Sequence, residues 1–120
     1  MKASEVIAQS ASNSGMDPQA ALQEINKEIQ NPDTKIVQSN DSVLLVSKIQ
    51  PGVADVALFT VETGQKLIAS VTSLLQKVKS SGIQTIFGDA ENAELISALQ
   101  QSGVQLSQSP DPSYGWVATI

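Results

Sequence analysis

The chain lacks three of the side chains on which much protein chemistry depends. It has no cysteine, so no disulfide framework constrains it and no thiol can serve as nucleophile or metal ligand; that composition suits a reducing compartment. Histidine is absent too, which removes the usual general base near neutral pH and the commonest metal ligand. Without arginine there is no planar fork to grip a phosphate or carboxylate bidentately. Aromatic side chains are scarce, at 3%: Phe59, Phe87, Tyr114 and Trp116. Seven lysines stand against twelve carboxylates, a net charge of -5. Affinity for nucleic acid rests largely on neutralising phosphates, so this balance and the scatter of the lysines exclude it as a primary ligand. No apolar run approaches the roughly 18–20 residues that cross a bilayer, so no membrane partner is expected. The N-terminal MKASEVIAQSASNSG has no continuous apolar stretch and does not read as a secretory signal.

What remains describes one domain. At 120 residues with 41% hydrophobic content, the chain is long enough for a single core and too short for two. Ala3, Val6, Ile7 and Ala11 at helical spacing predict a helix over 2–12, ended by Asn13-Ser14-Gly15. Asp17 caps a second helix in which Pro18 takes the first position, and Ala21, Leu22, Ile25 and Ile29 line one face through residue 30. The pattern then changes to strands at 34–38 and 42–49 around the turn Ser39-Asn40-Asp41, and at 53–62 after Pro51-Gly52. Val53, Val56, Leu58, Phe59 and Val61 are too apolar for simple alternation, which predicts a central strand covered on both faces.

Helical period returns from Gly64 to Ser80, with Leu67, Val71, Leu74, Leu75 and Val78 as the stripe and Lys77 and Lys79 at the favourable end of the dipole. A short strand (84–88), a helix (90–102) and strands at 104–108 and 114–120 complete the chain. The fold class is therefore α/β: a mixed central sheet in which an antiparallel meander is followed by parallel βαβ crossovers.

This order of elements resembles the GNAT (GCN5-related N-acetyltransferase) family without its first strand, most sharply from 53 to 104. The resemblance implies that acetyl-CoA phosphates would meet the start of the long helix at Thr63, Gly64, Gln65 and Lys66. The family's glycine-rich loop has no room there. Asn92 stands eleven residues before Gly103, at the family's asparagine position. The family's thiolate-protonating tyrosine falls on Leu99, which has no proton to give. Glu62, at the strand end facing the helix start, is the best-placed carboxylate for a GNAT-like general base.

Other constellations read as structure. Glu24, Lys27 and Glu28 form a solvated helix face. Glu91 and Glu94 favour a helix N-terminus. Asp55 interrupts an apolar strand, and an isolated buried carboxylate there would be costly, so it is expected to point outward, or to pair with a lysine at a site or interface. Tyr114 and Trp116, two residues apart in a predicted strand, are expected on one face, either packed in the core or over an edge, or, with Val117 and Ile120, forming an interface in which the terminal strand pairs with another chain's edge.

The stripped-down site leads to the expectation of a non-catalytic structural or interaction protein without a cofactor. It is similar to small GNAT-like proteins of tailed phages, so its partners would be other protein subunits, as in a viral assembly, and its location the virion or the cytoplasm. The alternative is an acetyl-CoA-dependent N-acyltransferase, or an acyl-CoA-binding sensor. There the backbone of Leu58 to Val61 would bind pantetheine, Thr63 to Lys66 the pyrophosphate, and Glu62 would be the base. Strands 53–62 and 84–88 should splay apart if CoA binds.

Overall fold

In the computed structural model, which describes residues 1–89 and 93–120, the predicted elements form with boundaries displaced by a few residues. The helices are α1 (Ala3–Asn13), α2 (Pro18–Glu28), α3 (Gly64–Ser80) and α4 (Ala93–Gln101). The strands are β1 (Thr34–Ser39), β2 (Ser42–Gln50), β3 (Val53–Thr60), β4 (Thr85–Gly88), β5 (Leu106–Gln108) and β6 (Trp116–Thr119). Asp17 caps α2 as expected, its carboxylate accepting from Gln19 N–H. The β1–β2 hairpin turns on Asn40 and Asp41, with Asn40 at φ 51, a left-handed conformation that asparagine tolerates better than most side chains. No helix among the described residues is long and apolar enough to cross a membrane.

One six-stranded sheet runs in the order β1-β2-β3-β4-β6-β5. β1, β2 and β3 form the expected antiparallel meander, and β3 joins β4 in parallel through the α3 crossover. β6 then inserts antiparallel between β4 and β5, so the second crossover carries β5 one place further out. The terminal strand is thus interior, and its backbone groups are spent on two neighbours. The expectation that it would offer an edge to another chain is corrected by that placement.

Strand alternation assigns the two faces. Leu44 and Val46 of β2, Ala54, Val56 and Leu58 of β3, Ile86 of β4 and Ala118 of β6 point to one side, where Leu67, Val71, Leu74 and Val78 of α3 and Leu95, Ala98 and Leu99 of α4 cover them. Val43 and Leu45 of β2, with Ala57 and Phe59 of β3, point to the other side, against Val6, Ile7 and Ala11 of α1 and Ala21 and Ile25 of α2. The apolar run of β3 is explained: both of its faces are buried, as a central strand requires.

Candidate active site

The feature that organises the site is where β3 and β4 stop pairing. Their parallel register holds for Val53↔Thr85, Ala54↔Ile86 and Asp55↔Phe87, and then ends, although β3 continues to Thr60 and β4 to Gly88. Pairing therefore stops at Asp55 and Phe87, which leaves an opening in the hydrogen-bond ladder beside Val56–Thr60. Thr60 N–H turns away from β2 and donates to Ser10 Oγ at 3.3 Å. Antiparallel alternation turns the N–H and C=O of Leu58 the same way, toward the opening.

At the apex sits a pair that lies 59 residues apart in sequence. Tyr114 Oη donates to Asp55 Oδ2 at 2.9 Å, and the Tyr114 ring packs on Phe87 with centroids 5.3 Å apart. Burial, the Asp55 hydrogen bond and the charges of Asp55 and Asp111 push the Tyr114 phenol up to about 12. Glu28 of α2 lies within reach of the same field: burial first, then the charges of Glu24 and Asp55, raise its pKa. Asp55 is half-buried on the α1/α2 side of the sheet, and its partner is a tyrosine where a lysine was the partner expected.

Tyr114 and Trp116 do not share a face. Tyr114 and Gly115 belong to the bend before β6, where Gly115 N–H donates to Gly88 O at 2.9 Å, and strand alternation begins only at Trp116. Tyr114 therefore lies over Phe87 on the α1/α2 side, while Trp116 turns into the core under α3 and α4, 4% exposed. That burial corrects its expected interface role. Val117 and Ile120 are half-buried, with Val117 paired to both Phe87 and Ser107.

Glu62 closes a second cluster where β3 leads into α3. Its Oε1 accepts from Ser42 Oγ at 2.6 Å and from Ser70 Oγ at 2.7 Å, and its N–H donates to Thr60 Oγ1 at 2.9 Å. Ser42 and Thr60 hydroxyls meet at 2.6 Å, and Asn40 Nδ2 donates to Ser70 Oγ at 3.2 Å. Ser42, Thr60 and Ser70 are buried, and these polar groups satisfy one another. Spacing in sequence gives no sign of this network, because its members come from β2, β3 and α3. It ties the start of α3 to the sheet.

Thr63, Gly64, Gln65 and Lys66 are exposed at that helix start. Thr63 makes no side-chain capping bond, and among the described residues no side chain is hydrogen-bonded to the first-turn N–H groups. A groove of about 340 Å³ runs from Glu62, Thr63 and Gly64 past Leu67 and Ile68 to Ala93, Ser97 and Gln101, between α3 and α4. Asn92 lies outside the described residues, as do Ala90 and Glu91.

The sequence matches no protein-family model and no curated protein. Solved structures do match in fold. The N-acetyltransferase PseH of Campylobacter jejuni in complex with acetyl coenzyme A aligns with a TM-score of 0.58 and 14% identity, over 100% of this chain and 92% of that one. PseH alone gives a TM-score of 0.59 at 14% identity, over 98% and 90%. The spermidine N-acetyltransferase SpeG of Vibrio cholerae gives 0.55 at 11% identity, over 97% and 86%. These neighbours overturn the expectation of a non-catalytic structural or interaction protein, since the architecture is shared nearly end to end with N-acetyltransferases, one of them holding acetyl coenzyme A. A likeness to phage proteins has no counterpart among them. With its mixed six-stranded sheet and parted parallel pair, the chain has a GNAT-like fold.

Proposed function

We propose that the chain is an acyl-CoA-dependent N-acyltransferase. The observation that carries this reading is the parting of β3 and β4 with the Asp55–Tyr114 pair at its apex. The residues present fit the cosubstrate. Open N–H groups at Thr63–Lys66, with the Lys66 charge, suit a pyrophosphate. The groove between α3 and α4 leads from that point, and the Leu58 backbone groups can continue a strand-like ladder with the pantetheine arm.

The thioester would then lie at the apex, with the acceptor amine arriving from the α1/α2 side. Glu24, Glu28 and Asp55 make that side attractive to an ammonium group. The bound ammonium first gives one proton to solvent; the neutral amine attacks the thioester carbonyl, the carbon–sulfur bond breaks with CoA leaving as its thiolate, and the second amine proton passes to Asp55. Asp55 Oδ1 has no partner among the described residues, so one oxygen is open for that proton while Oδ2 is held by Tyr114. Tyr114, whose phenol keeps its proton far above neutral pH, is a positioning residue for the carboxylate. Glu62 belongs to the hydroxyl network at the helix start and in this reading anchors the phosphate end.

The test is calorimetry with acetyl-CoA, followed by thiol release with primary amines. Asp55→Asn should lower kcat by about 10²-fold or more while acetyl-CoA affinity stays unchanged. Absence of acetyl-CoA binding at millimolar concentration would overturn the proposal.

A further inference from the structure

Trp116 carries the one buried side-chain polar atom without a hydrogen-bond partner among the described residues, its indole Nε1. A buried N–H left unpaired is costly, and native structures rarely tolerate one without a reason. Its position is specific. Trp116 stands opposite Gly88 in the β4–β6 register. A Cβ at Gly88 would lie 2.0 Å from Trp116 Cζ2, 2.3 Å from Cε2 and 2.6 Å from Nε1. Those atoms form the nitrogen-side edge of the indole, which therefore lies against the Gly88 backbone across the β4–β6 pair.

Gly88 follows Phe87, the last β4 residue paired with β3. The nitrogen-side edge of the ring therefore lies over the strand end that flanks this break in pairing, and the glycine gives it room to do so. The core cluster that holds Trp116 includes Leu58, Leu67, Leu95, Ala98 and Leu99, whose side chains carry no acceptor.

We propose that Trp116 Nε1–H is the donor that holds a carbonyl oxygen of the acyl-pantetheine arm in the opening between β3 and β4. This rests on the acyl-CoA reading above. An indole N–H makes a hydrogen bond but does not transfer its proton at neutral pH, so Trp116 is a positioning residue and not an acid. The carbonyl is either that of the thioester or that of a pantetheine amide; the chemistry recognised is the same.

Because the chain has a single tryptophan, its indole gives one ¹⁵N–H resonance that needs no site-specific label. Titration of the ¹⁵N-labelled protein with acetyl-CoA should move that resonance downfield and slow its exchange with solvent. Free CoA producing the same shift identifies a pantetheine amide, whereas a shift with acetyl-CoA alone identifies the thioester. If amide resonances at Val56–Thr60 and Thr63–Lys66 saturate while the indole stays in place, the inference fails and the acyl-CoA reading survives. If nothing moves at millimolar ligand, both fall. Trp116→Phe, folded by the same spectrum, should bind acetyl-CoA about tenfold more weakly, and unchanged affinity would count against the donor. Where that variant does not fold, the wild-type indole titration decides alone.

Discussion

Adding one methyl group at Gly88 should cost this fold about 2 kcal/mol, although glycine there is not needed for its backbone conformation. Gly88 is not among the glycines with positive φ, so alanine brings no backbone strain. The difficulty is space. The new Cβ would sit 2.0 Å from Trp116 Cζ2 and 2.3 Å from Cε2, far inside van der Waals contact. Trp116 is 4% exposed and belongs to the core cluster with α3 and α4, so displacing the ring disturbs that packing. Overpacking of this kind costs about 1–3 kcal/mol, and a rigid ring against a backbone-attached carbon belongs at the upper end. Replacing glycine returns roughly 0.5–1 kcal/mol through the unfolded chain, leaving about 2 kcal/mol. Unfolding entropy near 2.1 cal/mol/K per residue converts that loss into a Tm drop of about 8 °C for a chain of this length. Calorimetry gives the Tm, and emission from the single tryptophan should shift as the ring is displaced. In a Gly88→Ala, Trp116→Leu double variant the penalty of the alanine should largely disappear. A Gly88→Ala protein melting within roughly 2 °C of the parent, with unchanged emission, would refute the packing argument.

Tyr114, the single tyrosine, should ionise near 12 by its absorbance, and Asp55→Asn should move the midpoint down toward the ordinary value of about 10. Because the folded-state pKa is raised, the stability this group contributes is fully present below its unfolded value and is lost as pH rises through about 12; a native midpoint near 10 contradicts the buried pairing. The raised pKa of Glu28 carries the same sign, with stability highest at low pH and falling as the carboxylate ionises, so Glu28→Gln should gain a few tenths of a kcal/mol at pH 7, discounted for its exposure and measured by urea melts. Ser42→Ala and Ser70→Ala should each cost about 1–3 kcal/mol, and their double variant should depart from additivity, since both hydroxyls donate to the same Glu62 oxygen.

The helices and the order of the sheet were legible because they follow from periodicity and punctuation. Leu67, Val71, Leu74 and Val78 mark α3, and Asp17-Pro18 marks the start of α2, from residues only a few positions apart. The site was much less legible. Asp55 drew notice as a carboxylate in an apolar strand, but its partner lies 59 residues away and comes from a bend. Alternation was carried two residues too far: Tyr114 was placed on the face of Trp116 because the strand pattern was extended past its first residue. Glu62 was noticed for its place at a strand end, whereas the three hydroxyls that hold it sit in β2, β3 and α3 as ordinary serine and threonine. The position of β6 between β4 and β5 is a tertiary fact that element order alone leaves open.

The substitution that most weakened an enzymatic reading was leucine at position 99, where the GNAT resemblance implies a proton-donating tyrosine. Leu99 is 0% exposed and sits in the core under α4, so a phenol there would need space that the packing has already filled. The polar groups that border the opening come instead from the segment Tyr114-Gly115-Trp116. It lays a phenol hydrogen-bonded to Asp55 on one face and an indole N–H on the other, either side of the strand end at Gly88. The bend at Gly115, pinned by its N–H to Gly88 O, makes that division possible, because a continuous strand would send both aromatics to one side. In the proposed reaction the return into β6 supplies both positioning residues, the phenol for the carboxylate and the indole for the carbonyl, while α4 supplies packing. Leucine at position 99 therefore leaves α4 without the proton donor that the resemblance implies, while the proposed reaction keeps its two positioning residues.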